Sequence, residues 1–327
     1  MTDLVFITGA GRCGTNLVSG IYDSHEKFNV FPGELPFSEV LAEINLGSCI
    51  ISDKRKEILD FFLKDFKKDK LKFKKKFYNK KNFSFHIKFL ISELSLFYFK
   101  KKNIILINTQ NENIDFLLKN FKKSKIIHMI RNPLTQINSR YLFRHGDCTK
   151  RYSGNEFPNT YFRNYQSFKQ AYKYKKNKNV LIVKIEDLTG KSKKTLHKMN
   201  KFLKIKNFQE PKLTRFNGKF ISTLYGKKIE TTKIVNVKMN YSCLLPYDLY
   251  CINKIKFAKF FYKLKKFKYA NSSIFLYYLR HFGLIGKNRV TTLNIINLIK
   301  LFIYTYKNYK DDLKIKENFL KFCKNEK

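Results

Sequence analysis

The segment that decides the fold is Phe6–His25, which reads "FITGAGRCGTNLVSGIYDSH". An apolar strand pattern leads into a glycine-rich turn, and an amphipathic helical pattern follows at once. Glycines that let backbone N–H groups face an anion at a helix N-terminus are a common phosphate-binding device. Gly9 and Gly14 have the spacing of the nucleotide-triphosphate loop G-x-x-x-x-G-K-[ST]. However, Thr15 stands at the lysine position and Asn16 at the position of the magnesium-binding hydroxyl. The segment therefore predicts a phosphate site that uses neither that lysine nor a metal.

The length of 327 residues predicts one large domain, or one domain with an extension. The formal net charge of +42 attracts polyanions, and binding to them is expected to depend on salt. The excess is chiefly lysine, spread along the chain beside abundant Asn, Ile, Phe and Tyr, all of which have A/T-rich codons. Codon bias accounts for such a composition, so the charge does not by itself predict a specific nucleic-acid partner.

Six scattered cysteines form no C-x-x-C pair, which argues against zinc and redox motifs and against a disulfide framework. Reduced thiols in a cytoplasm are the expectation. The first strand begins just after Met1, so we expect neither a signal peptide nor an N-terminal anchor. The apolar run Thr291–Tyr306 is interrupted by polar residues and is short for a membrane span.

Apolar runs alternate with helical patterns along the chain, which predicts an α/β fold with a parallel sheet. We expect three layers, with helices on both faces of the sheet, and a helical extension at the C-terminus. The segment "FNVFPGELPFSE" is interpreted as a loop, and the lysine-rich segment of about residues 53–82 as a solvated helix or insertion. The predicted domains are residues 1–269 and the extension 270–327. The predicted strands are Asp3–Thr8, Asn103–Thr109, Lys125–Ile130 and Asn179–Ile185.

Two segments together resemble the sulfotransferase family. "GAGRCGTNL" is similar to the loop that binds the 5′-phosphosulfate of the donor, whose common form is x-x-R-S-G-T-T-x-L. "IIHMIRNPLTQINSRY" is similar to the 3′-phosphate segment, an apolar strand followed by Arg-Asp/Asn-Pro and a serine eight residues after the arginine; here these are Arg131 and Ser139. "VLIVKIEDL" and, faintly, "YSCLLPYDLYCINKI" resemble later elements of that family. Each phosphate motif follows a predicted strand and precedes a helix, which is the order the family has.

The resemblance implies the donor 3′-phosphoadenosine 5′-phosphosulfate (PAPS), the product 3′,5′-bisphosphoadenosine (PAP) and no metal. It implies that Arg12 stabilises charge on the leaving oxygen. It assigns Arg131 and Ser139 to the 3′-phosphate. Taken alone, Arg131 would be interpreted as part of a salt bridge at a strand end, to Glu186 or Asp187. The resemblance implies a donor-binding loop made of Gly11, Arg12, Cys13, Gly14, Thr15 and Asn16.

A general base is expected near the reacting sulfur, because the acceptor hydroxyl must lose a proton. Glu34, in "PGELP", stands at a position much like the Gly-Glu of tyrosylprotein and several bacterial carbohydrate sulfotransferases. His25 is interpreted as a structural residue at a helix end. Two departures from the family pattern stand out. Asn16 occupies a position that usually carries a hydroxyl, and Asn108 with Thr109 replaces a lysine that many members have near the second strand.

The sequence thus predicts transfer of a sulfuryl group from PAPS to a hydroxyl, with a carbohydrate or glycoconjugate as the expected acceptor. Three alternatives stay open: a P-loop kinase of a nucleotide or of adenylylsulfate, a basic nucleic-acid-binding protein, and an inactive homologue that binds PAP. A cytoplasmic protein is expected. The C-terminal extension is interpreted either as an element packed on the core or on a partner subunit, or as a peripheral membrane contact. The acceptor's identity and the oligomeric state are not determined by the sequence.

Overall fold

The structure is a computed structural model, and the residues it describes are 3–34, 104–109, 113–145, 159–206, 213, 223–224, 227–228, 244, 246–264 and 295–325. The lysine-rich segment of about residues 53–82 lies outside them. The chain forms two compact units. The first comprises Met1–Ala10, Gly14–Met129 and Tyr174–Asn236, and the second comprises Gly11–Cys13, Ile130–Lys173 and Val237–Lys327. The predicted division between residues 1–269 and 270–327 stays a prediction.

A five-stranded parallel sheet forms the core of the first unit, in the order β2-β3-β1-β4-β5. The central strand β1 pairs in parallel with β3 on one side and with β4 on the other. The residues of β3 are all buried, and so are all but the first of β4, which is why these strands read as continuous apolar runs. The strands of this sheet are β1 (Asp3–Thr8), β2 (Phe28–Glu34), β3 (Ile104–Asn108), β4 (Lys125–Ile130) and β5 (Val180–Lys184). A separate antiparallel pair consists of β6 (Thr223–Leu224) and β7 (Lys227–Lys228).

The strand β2 corrects the sequence analysis, which interpreted this segment as a loop. Pro32 and Gly33 weaken the strand pattern, because proline lacks a backbone donor and glycine gives no side chain to pack. Both are tolerated because β2 is the edge strand of the described sheet and its pairing with β3 is irregular between Val30 and Glu34. Within the described residues, the sheet accordingly has five strands where four were predicted.

Helices follow the strands as the alternation predicted, and the α/β class, with a helical C-terminal extension, is confirmed. In the first unit, the Tyr22 hydroxyl on the first helix donates to Asn200 Oδ1 on the sixth at 2.9 Å. Burial raises the pKa of Tyr22 well above its usual value, so this hydroxyl stays a donor. The helices are α1 (Thr15–Asp23), α2 (Ile114–Asn120), α3 (Pro133–His145), α4 (Asn159–Tyr174), α5 (Ile185–Gly190), α6 (Ser192–Leu203), α7 (Pro246–Asn253) and α8 (Ile295–Asn325).

The described part of the second unit is mainly helical, and α4, α7 and the last turns of α8 pack together in it. Phe319 of α8 is fully buried, with its ring centroid 5.4 Å from that of Tyr161 in α4. Lys316 of α8 forms an ion pair with Asp248 of α7, with Nζ and Oδ1 2.6 Å apart and both side chains inaccessible to solvent. The end of the C-terminal helix therefore packs on its own chain.

None of the helices within the described ranges combines the length and the apolar character needed to cross a membrane. Peripheral membrane contact through the extension stays a prediction.

Candidate active site

The loop between β1 and α1 ends in a glycine that no other residue can replace without strain. Gly14 caps α1 with φ 95° and ψ 19°, in the left-handed region. A Cβ built on Gly14 would lie 2.4 Å from Cδ1 of Ile185. The Gly14 carbonyl accepts from the N–H groups of Leu17 and Val18, at 3.1 and 3.2 Å, so α1 is regular from its first turn. The first amides of such a helix have no acceptor within the helix and are suited to an anion.

Arg12 is the centre of a cluster in the second unit. Its backbone has φ 71°, a left-handed conformation that costs a non-glycine residue about 1–3 kcal/mol and is common at functional sites. Its Nε donates to the Ser139 hydroxyl at 3.5 Å. Its carbonyl accepts from the Arg131 guanidinium at 3.1 Å. The structure thus brings together three residues that the sequence analysis assigned to binding of the nucleotide.

Helix α3 holds the adjoining loop through a residue that the sequence analysis missed. Gln136 Nε2 donates to the carbonyl of Gly11 at 2.5 Å. The Arg140 side chain lies against the same loop, since a Cβ built on Gly11 would be 3.2 Å from one of its guanidinium nitrogens. Gln136 is three residues before Ser139, so helical spacing alone placed the two on one side of α3. That spacing is the signal that could have identified Gln136.

The electrostatics of this cluster favour an anion. Arg12, Arg131 and Arg140 are each half-buried, and all lie on or against residues 11–13. Arg131 also precedes the N-terminus of α3, where the helix dipole adds partial positive charge. Partly desolvated guanidinium groups interact with phosphate more strongly than exposed ones do, and their planar fork suits two of its oxygens.

A second set of predicted residues lies in the first unit, where strands of the sheet end. Thr15 is 5% exposed, and the next residue, Asn16, accepts at Oδ1 from Asn108 Nδ2 at 2.7 Å. Asn108 ends β3 and is paired in the sheet with Glu34, at the end of the parallel strand β2. The backbone of Glu34 therefore lies one strand away from a residue that contacts the start of α1. Cys13, the remaining loop residue, is buried.

His25 and His128 have structural surroundings. The Nδ1 atom of His25 accepts from the Lys27 N–H at 3.1 Å, and its ring packs edge-on against Phe28. These contacts close the end of α1, which is the role expected for His25. His128 is fully buried within β4, in the core of the sheet.

Comparison with family models identifies the family of the chain. The model described as "Sulfotransferase family" matches residues 4–210. The chain is similar to the sulfotransferase domain from the curacin biosynthetic pathway, with 16% identity and a TM-score of 0.52 over 81% of this chain and 99% of that one. It also matches the sulfotransferase domain of the Synechococcus PCC 7002 olefin synthase, with 16% identity and a TM-score of 0.44 over 64% of this chain and 76% of that one.

Mouse sulfotransferase SULT7A1, solved in complex with PAP, matches at 13% identity and a TM-score of 0.35, over 63% of this chain and 60% of that one. No curated protein sequence matches the chain. The curacin domain supports the fold, and the family model covers more than half of the sequence. The chain belongs to the sulfotransferase family.

Proposed function

We propose that this protein transfers a sulfuryl group from PAPS to a hydroxyl group of a saccharide or glycoconjugate. The observation that carries the proposal is the cluster of Arg12, Arg131 and Ser139. Arg131 and Ser139 are 119 and 127 positions from Arg12 in the sequence, yet each forms a hydrogen bond with it in the structure. Two guanidinium groups and a hydroxyl form a donor set that suits a phosphorylated nucleotide.

Each unit offers residues that suit one of the two phosphates of PAPS. The first amides of α1, at Thr15 and Asn16, suit the 5′-phosphate. Arg131 and Ser139 would hold the 3′-phosphate, which distinguishes PAPS from other adenine nucleotides. Neither role requires the lysine or the metal-binding hydroxyl of a nucleotide-triphosphate loop, and the chain has neither at those positions.

In the proposed reaction, the donor supplies a sulfuryl group bonded to a phosphate oxygen. The acceptor oxygen bonds to sulfur, the bond between sulfur and the phosphate oxygen breaks, and the acceptor proton goes to Glu34. A glutamate is ionised at neutral pH and can take this proton as it leaves. Arg12 would stabilise the negative charge that develops on the departing phosphate, as a cation that never needs to be deprotonated.

The choice of a saccharide acceptor follows the bacterial range of the family and rests on no residue of this chain. The likeness of "PGELP" to the Gly-Glu segment of carbohydrate and tyrosylprotein sulfotransferases concerns the base, Glu34. The pairing of Glu34 with Asn108 supports a role for this segment. It means that the backbone of Glu34 lies at the carboxyl ends of the strands, next to the residue that contacts Asn16. Transfer of labelled sulfate from PAPS to a panel of saccharides, and to a tyrosine peptide, would separate these acceptor classes.

Nucleotide binding without metal tests the donor assignment. With EDTA present, PAP should raise the melting temperature, and AMP should do so much less, because AMP lacks the 3′-phosphate. Arg131→Ala should remove most of that difference. The matched control is Arg163→Ala, which changes an exposed arginine of α4 and should leave the difference intact.

Other outcomes would point to the rival functions. Equal stabilisation by PAP and AMP, or a strict need for Mg²⁺, would contradict the donor assignment and favour a kinase. Binding of PAP without sulfate transfer to any acceptor would favour the inactive homologue. Tight nucleic-acid binding that PAP does not displace would favour the basic binding protein.

The proposed base has its own test. Glu34→Gln keeps the shape of the side chain but cannot accept the proton, so turnover should fall by about 10²–10⁴-fold. PAP affinity should barely change, because Glu34 is not assigned to the donor phosphates. Glu26→Gln, at an exposed glutamate after α1, serves as the control. Near-normal turnover of the Glu34→Gln variant would show that another group takes the proton.

A further inference from the structure

The two positions at which this chain departs from the usual pattern of its family contact each other. Asn16 is the second residue of α1, and Asn108 is the last residue of β3. Although 92 residues separate them, Asn108 Nδ2 donates to Asn16 Oδ1 at 2.7 Å. Asn108 is 1% exposed, so this hydrogen bond is shielded from water on one side.

The direction of this hydrogen bond determines where the accepting oxygen and the donating nitrogen of the Asn16 carboxamide lie. A carboxamide has an oxygen that only accepts and a nitrogen that only donates. Because Asn108 donates, the oxygen of Asn16 is the acceptor, and the donor hydrogens of Asn16 are on the other arm of its amide. The reverse orientation would turn the oxygen outward, where it would repel an anion at the start of α1.

Asn108 is itself held firmly. In the sheet it is flanked by Ile7 of β1 and Glu34 of β2. The next residue, Thr109, donates to the Ile7 carbonyl through its N–H at 2.8 Å and through its hydroxyl at 3.1 Å. A side chain at the end of a buried, paired strand has little freedom to turn, so Asn108 can impose an orientation on its partner.

We propose that Asn108 is a positioning residue: it orients the Asn16 carboxamide so that Asn16 Nδ2 donates to the 5′-phosphate of the donor nucleotide. The pair does the work of the single hydroxyl that the family usually has at position 16. A hydroxyl needs no such partner, because it can rotate to donate. This inference rests on the proposed function, since it assigns a ligand to the start of α1.

The test compares PAP with adenosine 3′-phosphate, which lacks only the 5′-phosphate, by isothermal titration calorimetry. The ratio of their affinities measures what the 5′-phosphate contributes. Asn108→Leu keeps the size of the side chain but cannot donate, so the ratio should fall about 10-fold. Asn108→Asp should lower it further, because a carboxylate accepts from Asn16 Nδ2 and turns the Asn16 oxygen toward the phosphate. Affinity for adenosine 3′-phosphate should change little in the Asn108→Leu variant.

The background Asn16→Thr separates orientation from a general structural effect. With threonine at position 16, Asn108→Leu should leave the ratio nearly unchanged, because the hydroxyl orients itself. An equal loss in both backgrounds would overturn the positioning role, and so would a normal ratio in Asn108→Leu. If Asn108→Leu does not fold, the smaller Asn108→Ala, which also cannot donate, decides by the same comparison. A wild-type protein that does not prefer PAP over adenosine 3′-phosphate would contradict the proposed function itself.

Discussion

The buried ion pair between Lys316 and Asp248 predicts how firmly the C-terminal helix is joined to the second unit. The two charged atoms are 2.6 Å apart, and neither side chain is exposed. Asp248 Oδ1 also accepts from the Tyr161 hydroxyl at 2.7 Å, so one carboxylate connects α4, α7 and α8. Lys316→Met keeps much of the length of the side chain but leaves the carboxylate buried without its cation.

Breaking a buried pair in this way costs about 3–5 kcal/mol of the free energy of unfolding. Since about 1 kcal/mol shifts the melting temperature of a sizeable domain by roughly 2–4 °C, we expect a fall of roughly 6–20 °C. Circular dichroism at 222 nm is the suitable measurement, because the protein has no tryptophan. Lys314→Met, the same substitution at an exposed position two residues earlier, should change the melting temperature by no more than a few degrees.

A second substitution decides whether the charge is responsible. Adding Asp248→Asn to Lys316→Met removes the stranded charge and keeps an oxygen that can accept from Tyr161. The double variant should therefore recover much of the lost stability, because removing both partners of a buried pair is often nearly neutral. If Lys316→Met melted like wild type, or if the double variant lost the sum of the two single effects, the ion pair would not hold this helix.

Two further predictions test packing near the candidate site and in the second unit. Gly14→Ala should destabilise the protein by about 2–5 kcal/mol, from a left-handed backbone and a Cβ 2.4 Å from Cδ1 of Ile185. Ile185→Val removes that atom, so the double variant should unfold at a higher denaturant concentration than additive costs predict; strict additivity would show that the contact is not the cause. Burial raises the pKa of the Cys251 thiol to about 12, so iodoacetamide should modify Cys251 more slowly than the half-buried Cys323 at pH 8, with its rate rising as pH increases toward that pKa. Peptide mass spectrometry checks this order, and equal rates in the folded protein would contradict it.

The sequence by itself determined the features that depend on local pattern. Continuous apolar runs identified four of the five strands of the parallel sheet to within a residue at either end, because a short apolar run bounded by polar or turn residues is itself a strand signal. The loop at Arg12 and the segment with Arg131 and Ser139 were recognisable for a similar reason. Each needs particular residue types at fixed spacing after a strand, and that spacing is preserved in the chain.

Only the tertiary structure decided the features that depend on a partner far away in the sequence. Residues 28–34 form β2 because an edge strand tolerates Pro32, although the sequence pattern of this segment favours a loop. In the sequence alone, Asn108 marked only the absence of a lysine that many family members have. In the structure, it donates a hydrogen bond to Asn16. The buried charge of Lys316 is paired with Asp248, which lies 68 positions earlier in the sequence. Hydrophobic period is a property of neighbours along the chain, whereas the satisfaction of a buried polar group depends on which distant residue folding brings beside it.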